Sequence, residues 1–427
     1  MDKIKRKFKS IYQYLGLPLF IVYSLMILFL VIFIIKVFVT GGNTLYGLFF
    51  SDPNDTGMDF FNIAAMLKIG NPYDFVEFGA FYPPLCYLII QIFAAIIPFK
   101  KDDYASGYVF SREIKASQAG LMVFIFYTVL SLIVLSYIIY KMVGKNEYEK
   151  IFLVISTLLF APIIFTIERG NIIIFSLIFM LIFIYWYDNE NKVKKEIALI
   201  SLAISIVLKI YPIFFVIILL KQKKYKEMLR LLIYGIVLFF GPFLFFGGIN
   251  TIGVFIKNII TGVKVTEDNI DNPERTLYRV DFTSNLKSFA NSFGQSLNPI
   301  FLYISIAIII VILVFFAFKF TDNYKIFTCL ALLSTLFTPF NYYYAAIFYI
   351  IPFCLFIKAR PDKKIDIAYG IMFLLLLLPF SFGEERDLFS LKVCNLAQFG
   401  MIILLIVDFI IQFAKRKSLK NEVPELE

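Results

Sequence analysis

Apolar runs of about 20 residues recur from one end of the chain to the other, separated by short polar tufts. They fall at 17–35, 121–140, 151–167, 172–187, 231–246, 299–319, 365–380 and 396–413. Each is long enough to cross a hydrocarbon core. No water reaches the backbone there, so these runs must be helices, and the expected fold is an all-α polytopic membrane bundle. Two segments break the rhythm. Residues 85–98 are short and end in Pro98, so they are expected to embed without spanning. Residues 197–220 lie between two basic tufts and are interrupted by Lys209 and Pro212. A proline costs a helix interior about 3 kcal/mol, so two short helices meeting near Lys209 are expected. The pattern predicts roughly 10 to 13 transmembrane helices in a single domain over 1–427. Two stretches, 41–84 and 250–298, exceed ordinary connectors and are expected to be external and functional.

Composition removes whole classes of function. Of the 427 residues, 60% are hydrophobic, which excludes a soluble globular protein. The net charge of +10 points to no nucleic acid, because it sits in tufts at 3–9, 192–195, 221–230, 358–364 and 415–420. That is the pattern of cytoplasmic loops, and it implies contact with membrane lipids. The first span is too long, too basic at its start and too poor in small residues to be a removable leader. It reads as a retained helix with a cytoplasmic N-terminus. The chain has no histidine, so schemes that rest on imidazole are excluded. Its four cysteines, Cys86, Cys329, Cys354 and Cys394, show no metal or redox spacing and read as small apolar fillers.

Against this background the polar residues stand out. Asp52, Asn54, Asp55 and Asp59 cluster just beyond the first span. Residues 60–69 have helical spacing and read as an interfacial helix lying along the membrane surface. Asp59 would sit in its first turn, where the helix dipole favours the carboxylate, a competent base for a hydroxyl. The same acids also read as a capping and solubilising cluster. At 166–175, Glu168 and Arg169 form either an interfacial ion pair or, through the Arg169 fork, a phosphate site. Lys209 lies deep in apolar sequence, where a charge is functional by default unless it snorkels. A lipid phosphate is its natural counter-ion. Lys36 and Asp408 are weaker cases, near the ends of their spans. Thr338, Asn341 and Tyr342 to Tyr344 form either an interfacial tyrosine belt or a wall on which a sugar stacks. The amides and hydroxyls of 291–299 could hydrogen-bond a polyol.

Taken in order, these elements resemble the family-87 glycosyltransferases. The resemblance rests on Asp59, Ala64, Gly70, Pro72 and Tyr73 in the first loop, then Tyr82–Leu85. It continues through Gly170 and Asn171, the Lys209 to Pro212 element, Gln295 and Ser296, and the polar-aromatic turn at 338–344. It implies a GT-C fold and an inverting hexosyltransferase. The donor would be a polyprenyl-phosphate sugar, typically mannose, and the acceptor a lipid-linked or cell-envelope glycan outside the cytoplasm. By position, the resemblance makes Asp59 the catalytic aspartate and matches Lys209, Gly170, Asn171, Gln295 and Ser296 to elements of the family. The donor phosphate is assigned to Lys209 and, on the chemistry of its side chain, Arg169. Asn171, Tyr82, Gln295, Ser296, Asn341 and Tyr342 are assigned to the sugar or the acceptor. No cofactor or metal is expected. One departure is plain: the family's late motif usually carries histidine, where this chain has Asn341 and tyrosines. A transporter or flippase of a lipid-linked glycan, or an O-antigen-type polymerase or ligase, is the alternative. The transporter predicts inverted repeats, which the second half does not show.

Overall fold

The computed structural model describes residues 12–49, 53–74, 80–98, 107–268, 278–338, 341–381 and 388–422. Asp52, Asp271, Glu274 and the basic tuft 3–9 lie outside the described residues, as do the side chains of Glu267, Asp268 and 416–420. Every one of the eight apolar runs is helical. In chain order the helices begin with α1 (Leu17–Val39), α2 (Met58–Ile69), α3 (Pro84–Ala94), α4 (Gly107–Ala116), α5 (Gln118–Met142) and α6 (Glu147–Leu158). Next come α7 (Ala161–Arg169), α8 (Ile173–Trp186), α9 (Lys192–Leu208), α10 (Ile217–Lys221), α11 (Tyr225–Phe240) and α12 (Ile249–Asp268). The chain closes with α13 (Phe282–Ser292), α14 (Pro299–Lys319), α15 (Asn323–Leu336), α16 (Ile350–Ala359), α17 (Lys364–Leu377) and α18 (Phe389–Glu422). The described residues hold no strand, only a single bridge between Arg279 and Tyr342.

Local chemistry sets the helix ends. The side chains of Ser117, Asn146, Asn191 and Asn298 accept from the first free N–H groups of α5, α6, α9 and α14. Proline occupies the opening turn of α1, α3, α7 and α14, where its missing N–H costs nothing.

Among the described residues, five helices have the length and composition to cross a membrane, or six with α6 and α7 taken as one span bent by 53°. Another five apolar helices run only 10–17 residues. Spans of full length are therefore fewer than expected, because several apolar runs are broken short. Burial differs sharply between helices. In the five long helices only 22–39% of the spanning window is buried, so most of their apolar surface faces outward. By contrast, every residue of α15 from Tyr324 to Leu336 is buried, as are Tyr343–Tyr349 and most of α16. The segments 323–336 and 343–357 therefore lie in the interior of the bundle.

Two interior charge pairs hold distant helices together. Lys325 Nζ lies 2.7 Å from Asp408 Oδ2, which also accepts from Tyr369. Asp408, near the end of its span in the sequence, is buried with 2% exposure. Arg360 Nη2 meets Glu149 Oε2 at 2.6 Å, and Tyr23 donates to the other oxygen of Glu149. Removing one partner of such a pair costs more than the pair contributes, so these contacts hold the helix order.

The structure adds detail to the first loop. Residues 58–69 do form a helix, but Met58, Phe60, Phe61, Ile63, Ala64, Ala65 and Met66 are buried on several faces. α2 packs against α3 and α4, so it is covered by other helices. The amphipathic element is α4, which buries Phe110 and Ile114 while Arg112 and Lys115 share its polar side. The stretch 41–84 is likewise largely helical, and Asn71 ties it to Phe246, at the foot of α12, through a 3.1 Å hydrogen bond.

Candidate active site

Asp59 enters the site from the first turn of α2. The loop before it is held on two sides. Gly57 N donates to Glu168 O at 2.6 Å, Thr56 Oγ1 to Glu168 Oε1 at 2.8 Å, and Lys115 Nζ of α4 to Asn54 O at 3.0 Å. The start of α2 is thus fastened to the end of α7.

There the chain turns. Gly170 ends α7 with φ 65°, in the left-handed region. A Cβ at this position would lie 2.7 Å from the Phe124 ring and 2.9 Å from Phe60 Cβ, so the corner has no room for one. The turn throws the residues on either side of it onto one carboxylate. Arg169 Nη2 lies 2.6 Å from Asp59 Oδ1, and Asn171 Nδ2 lies 2.7 Å from Asp59 Oδ2. The Asn171 amide is oriented by its other end, since Oδ1 accepts from Ile173 N at 3.0 Å. Arg169 Nη1 also reaches Asp55 Oδ2 at 3.2 Å and Asp55 O at 2.9 Å. The Asp59 side chain keeps 18% of its exposure. Each oxygen of a carboxylate has two lone pairs, so a further donor can still be accepted there.

Replacing Gly170 with alanine tests this corner. A left-handed residue with a Cβ costs about 1–2 kcal/mol, and overpacking adds about 1–3 kcal/mol. Thermal unfolding in detergent is expected to show a melting temperature lower by several degrees. An unchanged value would mean that Phe60 and Phe124 yield without cost.

Lys209 arrives from the opposite direction. It caps the C-terminus of α9 in extended conformation, with φ −149° and ψ 127°. Pro212 opens the 3₁₀ turn Tyr211–Val216 that follows. The break expected near Lys209 is therefore present. Lys209 Nζ lies 3.4 Å from Tyr82 Oη and 4.5 Å from the centre of that ring. The rings of Tyr344 and Tyr211 stand 5.3 and 5.9 Å away. Aromatic faces stabilise a cation that has lost its water. No ion pair among the described residues includes Lys209.

Tyr82 links the two halves. Asn171 Nδ2 lies 3.5 Å from its hydroxyl, which Lys209 Nζ also approaches. Its backbone carbonyl accepts from the Tyr73 hydroxyl at 2.9 Å, which anchors the turn before α3. Burial, followed by the charge of Asp59, pushes the Tyr82 phenol well above its ordinary value, so it is a neutral hydroxyl.

The structure thus brings Asp59, Arg169, Asn171, Tyr82 and Lys209 together. Tyr342 stands at their edge, its ring 5.8 Å from Tyr344. Three residues assigned from the sequence are elsewhere. Gln295 and Ser296 are exposed beyond the end of α13 and share no hydrogen bond with the cluster. Asn341 is fully buried, and its amide donates to Ser334 O, Thr335 O and Thr338 Oγ1. Its amide nitrogen closes the end of α15, satisfying two of the helix's last carbonyls. Arg169 is present but occupied by two aspartates, where a phosphate site was expected. Tyr211 was not singled out from the sequence, and Asp55 and Tyr344 were named there only as members of their clusters. Tyr211 and Tyr344 lie within motifs that were singled out, while the pairing of Asp55 with Arg169 crosses 114 positions and leaves no local signal.

A family model described as Glycosyltransferase family 87 matches residues 80–339, more than half of the chain. The match includes Tyr82, Arg169, Asn171, Lys209, Gln295 and Ser296, whereas Asp59 precedes it and Asn341 follows it. Searches of curated proteins and of solved structures found no match.

Proposed function

We propose, from the premise that this chain belongs to glycosyltransferase family 87, that it moves a hexose from a polyprenyl-phosphate donor to a hydroxyl of a glycan acceptor. The family and the spanning helices make it a membrane glycosyltransferase. Mannose, a lipid-linked or cell-envelope acceptor, a plasma-membrane location and an extracytoplasmic site complete the reading. The observation that carries it is the juxtaposition of a clamped carboxylate and a caged ammonium, joined through Asn171 and Tyr82.

The chemistry follows from that pairing. Asp59 takes the proton of the acceptor hydroxyl while the acceptor oxygen attacks the anomeric carbon. The bond from that carbon to the phosphate oxygen breaks, and its electron pair leaves with the polyprenyl phosphate. Lys209 lies where that anion would gather and meets it with positive charge. Phosphate leaves without needing a strong acid, so a chain with no histidine can run this single, inverting displacement. Arg169, already bound to Asp55 and Asp59, serves as the positioning group for the base and not as the phosphate ligand.

The test is direct. Purified protein in vesicles is given radiolabelled polyprenyl-phosphate mannose and a membrane glycolipid extract. Label in a new glycolipid supports the reading, whereas label that only crosses the membrane supports a carrier. Lys209→Met is expected to weaken donor binding about 10- to 100-fold, the worth of a charge-assisted hydrogen bond. Normal donor affinity in that variant would remove Lys209 from the phosphate site.

A further inference from the structure

The hydroxyl of Tyr82 is approached by two hydrogen-bond donors. The Asn171 amide is locked with its nitrogen toward Tyr82, because its oxygen accepts from Ile173 N. The Lys209 ammonium carries only donors and lies 3.4 Å from the same oxygen. The phenol oxygen must therefore accept from both, and its own hydrogen is turned away from both. Among the described residues no acceptor receives that hydrogen. The Tyr82 ring cannot swing freely to find one, since its backbone is tied by Tyr73 and its ring packs edge-on against Tyr87. A neutral donor so held, beside a cation, is oriented for an anionic oxygen.

We propose that Tyr82 is a catalytic residue that gives its hydrogen bond to the departing phosphate oxygen, working with Lys209, and that it does not recognise the acceptor sugar. This rests on the donor class argued above. In the step, the acceptor O–H bond breaks toward Asp59 and the new bond forms between that oxygen and the anomeric carbon. The anomeric carbon–phosphate oxygen bond breaks, and its pair stays on the phosphate. Tyr82 keeps its proton throughout. Its hydrogen bond strengthens as charge develops on the leaving oxygen, so it acts on the rate more than on ground-state affinity. Asn171 has a double part, since one amide group orients the base and polarises the donor phenol.

The experiment compares Tyr82→Phe with the unaltered protein in detergent. The readouts are transfer from radiolabelled polyprenyl-phosphate mannose to an alkyl mannoside, and the affinity for polyprenyl phosphate alone. The expected result is a kcat lower by on the order of 10², the loss seen when one such donor is removed. The acceptor KM should stay within about twofold, with weaker polyprenyl phosphate binding as the second sign. A raised acceptor KM with kcat and lipid-phosphate affinity intact would overturn the proposal and return Tyr82 to the acceptor side. If the unaltered protein binds no polyprenyl phosphate, the donor class itself is wrong, which is a separate failure. Should the variant unfold early, trifluorotyrosine at position 82 keeps the shape and makes the phenol a stronger donor. A kcat that does not respond to that change would also overturn the proposal.

Discussion

Asp59→Asn is expected to lower transfer by on the order of 10²–10⁴, the contribution of a positioned general base. The exchange removes the proton acceptor and keeps the size of the side chain. It also places an amide nitrogen against one of two donors, Arg169 Nη2 or Asn171 Nδ2, which now face Asp59 at 2.6 and 2.7 Å. Lys209 and its tyrosines do not contact Asp59 directly, so polyprenyl phosphate should bind nearly as before. The measurement is kcat for the radiolabelled donor together with the affinity for its lipid product. Activity near that of the unaltered protein would exclude Asp59 as the base, whatever the other residues do.

The second large effect is expected at Arg169→Ala, and it should fall on stability as well as rate. The guanidinium lies between Asp55 and Asp59 with 10% of its side chain exposed. Without it two carboxylates face one another with no counter-charge. Removing one partner of a buried pair costs about 3–5 kcal/mol. The aspartates retain 27% and 18% of their exposure, so screening by water puts the loss nearer the lower end, about 3 kcal/mol. The melting temperature in detergent should fall clearly, and kcat should fall with it because the base is no longer aimed. Arg169→Lys separates the two roles: it restores charge but not the two-pronged fork, so it should recover stability more than rate. An alanine variant with normal melting and normal kcat would show that the clamp is ornamental.

Some of the site was readable in the sequence for identifiable reasons. Asp59 could be placed in a first helical turn because an acidic cluster precedes an apolar helical pattern. Lys209 drew notice because a charge inside apolar sequence is expensive, and Pro212 marked the break beside it. Gly170 and Asn171 were a polar interruption between two apolar runs, and that interruption is the corner that holds the base. The assignments of Asn341, Gln295 and Ser296 rested on side-chain polarity and on their place in an ordered resemblance. In the structure Asn341 is consumed by the carbonyls ending α15, while Gln295 and Ser296 sit in the open. A polar side chain announces that it needs partners without announcing which ones.

The same division runs through the whole molecule. Apolar run length and the absence of water in a bilayer were enough to dictate helices, a membrane bundle and the scarcity of polar groups that made each one worth attention. They could not say which helices lie inside. The interior α15 carries Lys325, Thr328, Ser334 and Thr335 among its apolar residues, whereas the outward-facing α14 is almost wholly apolar. Hydrophobicity by itself therefore does not mark the inside, because lipid tails and a protein core accept the same apolar side chains. Only packing in three dimensions settled that α2 is covered, that Asp408 meets Lys325, and that Arg169 and Asn171 close on Asp59. Those are contacts between residues far apart in the chain, whose geometry no local pattern encodes.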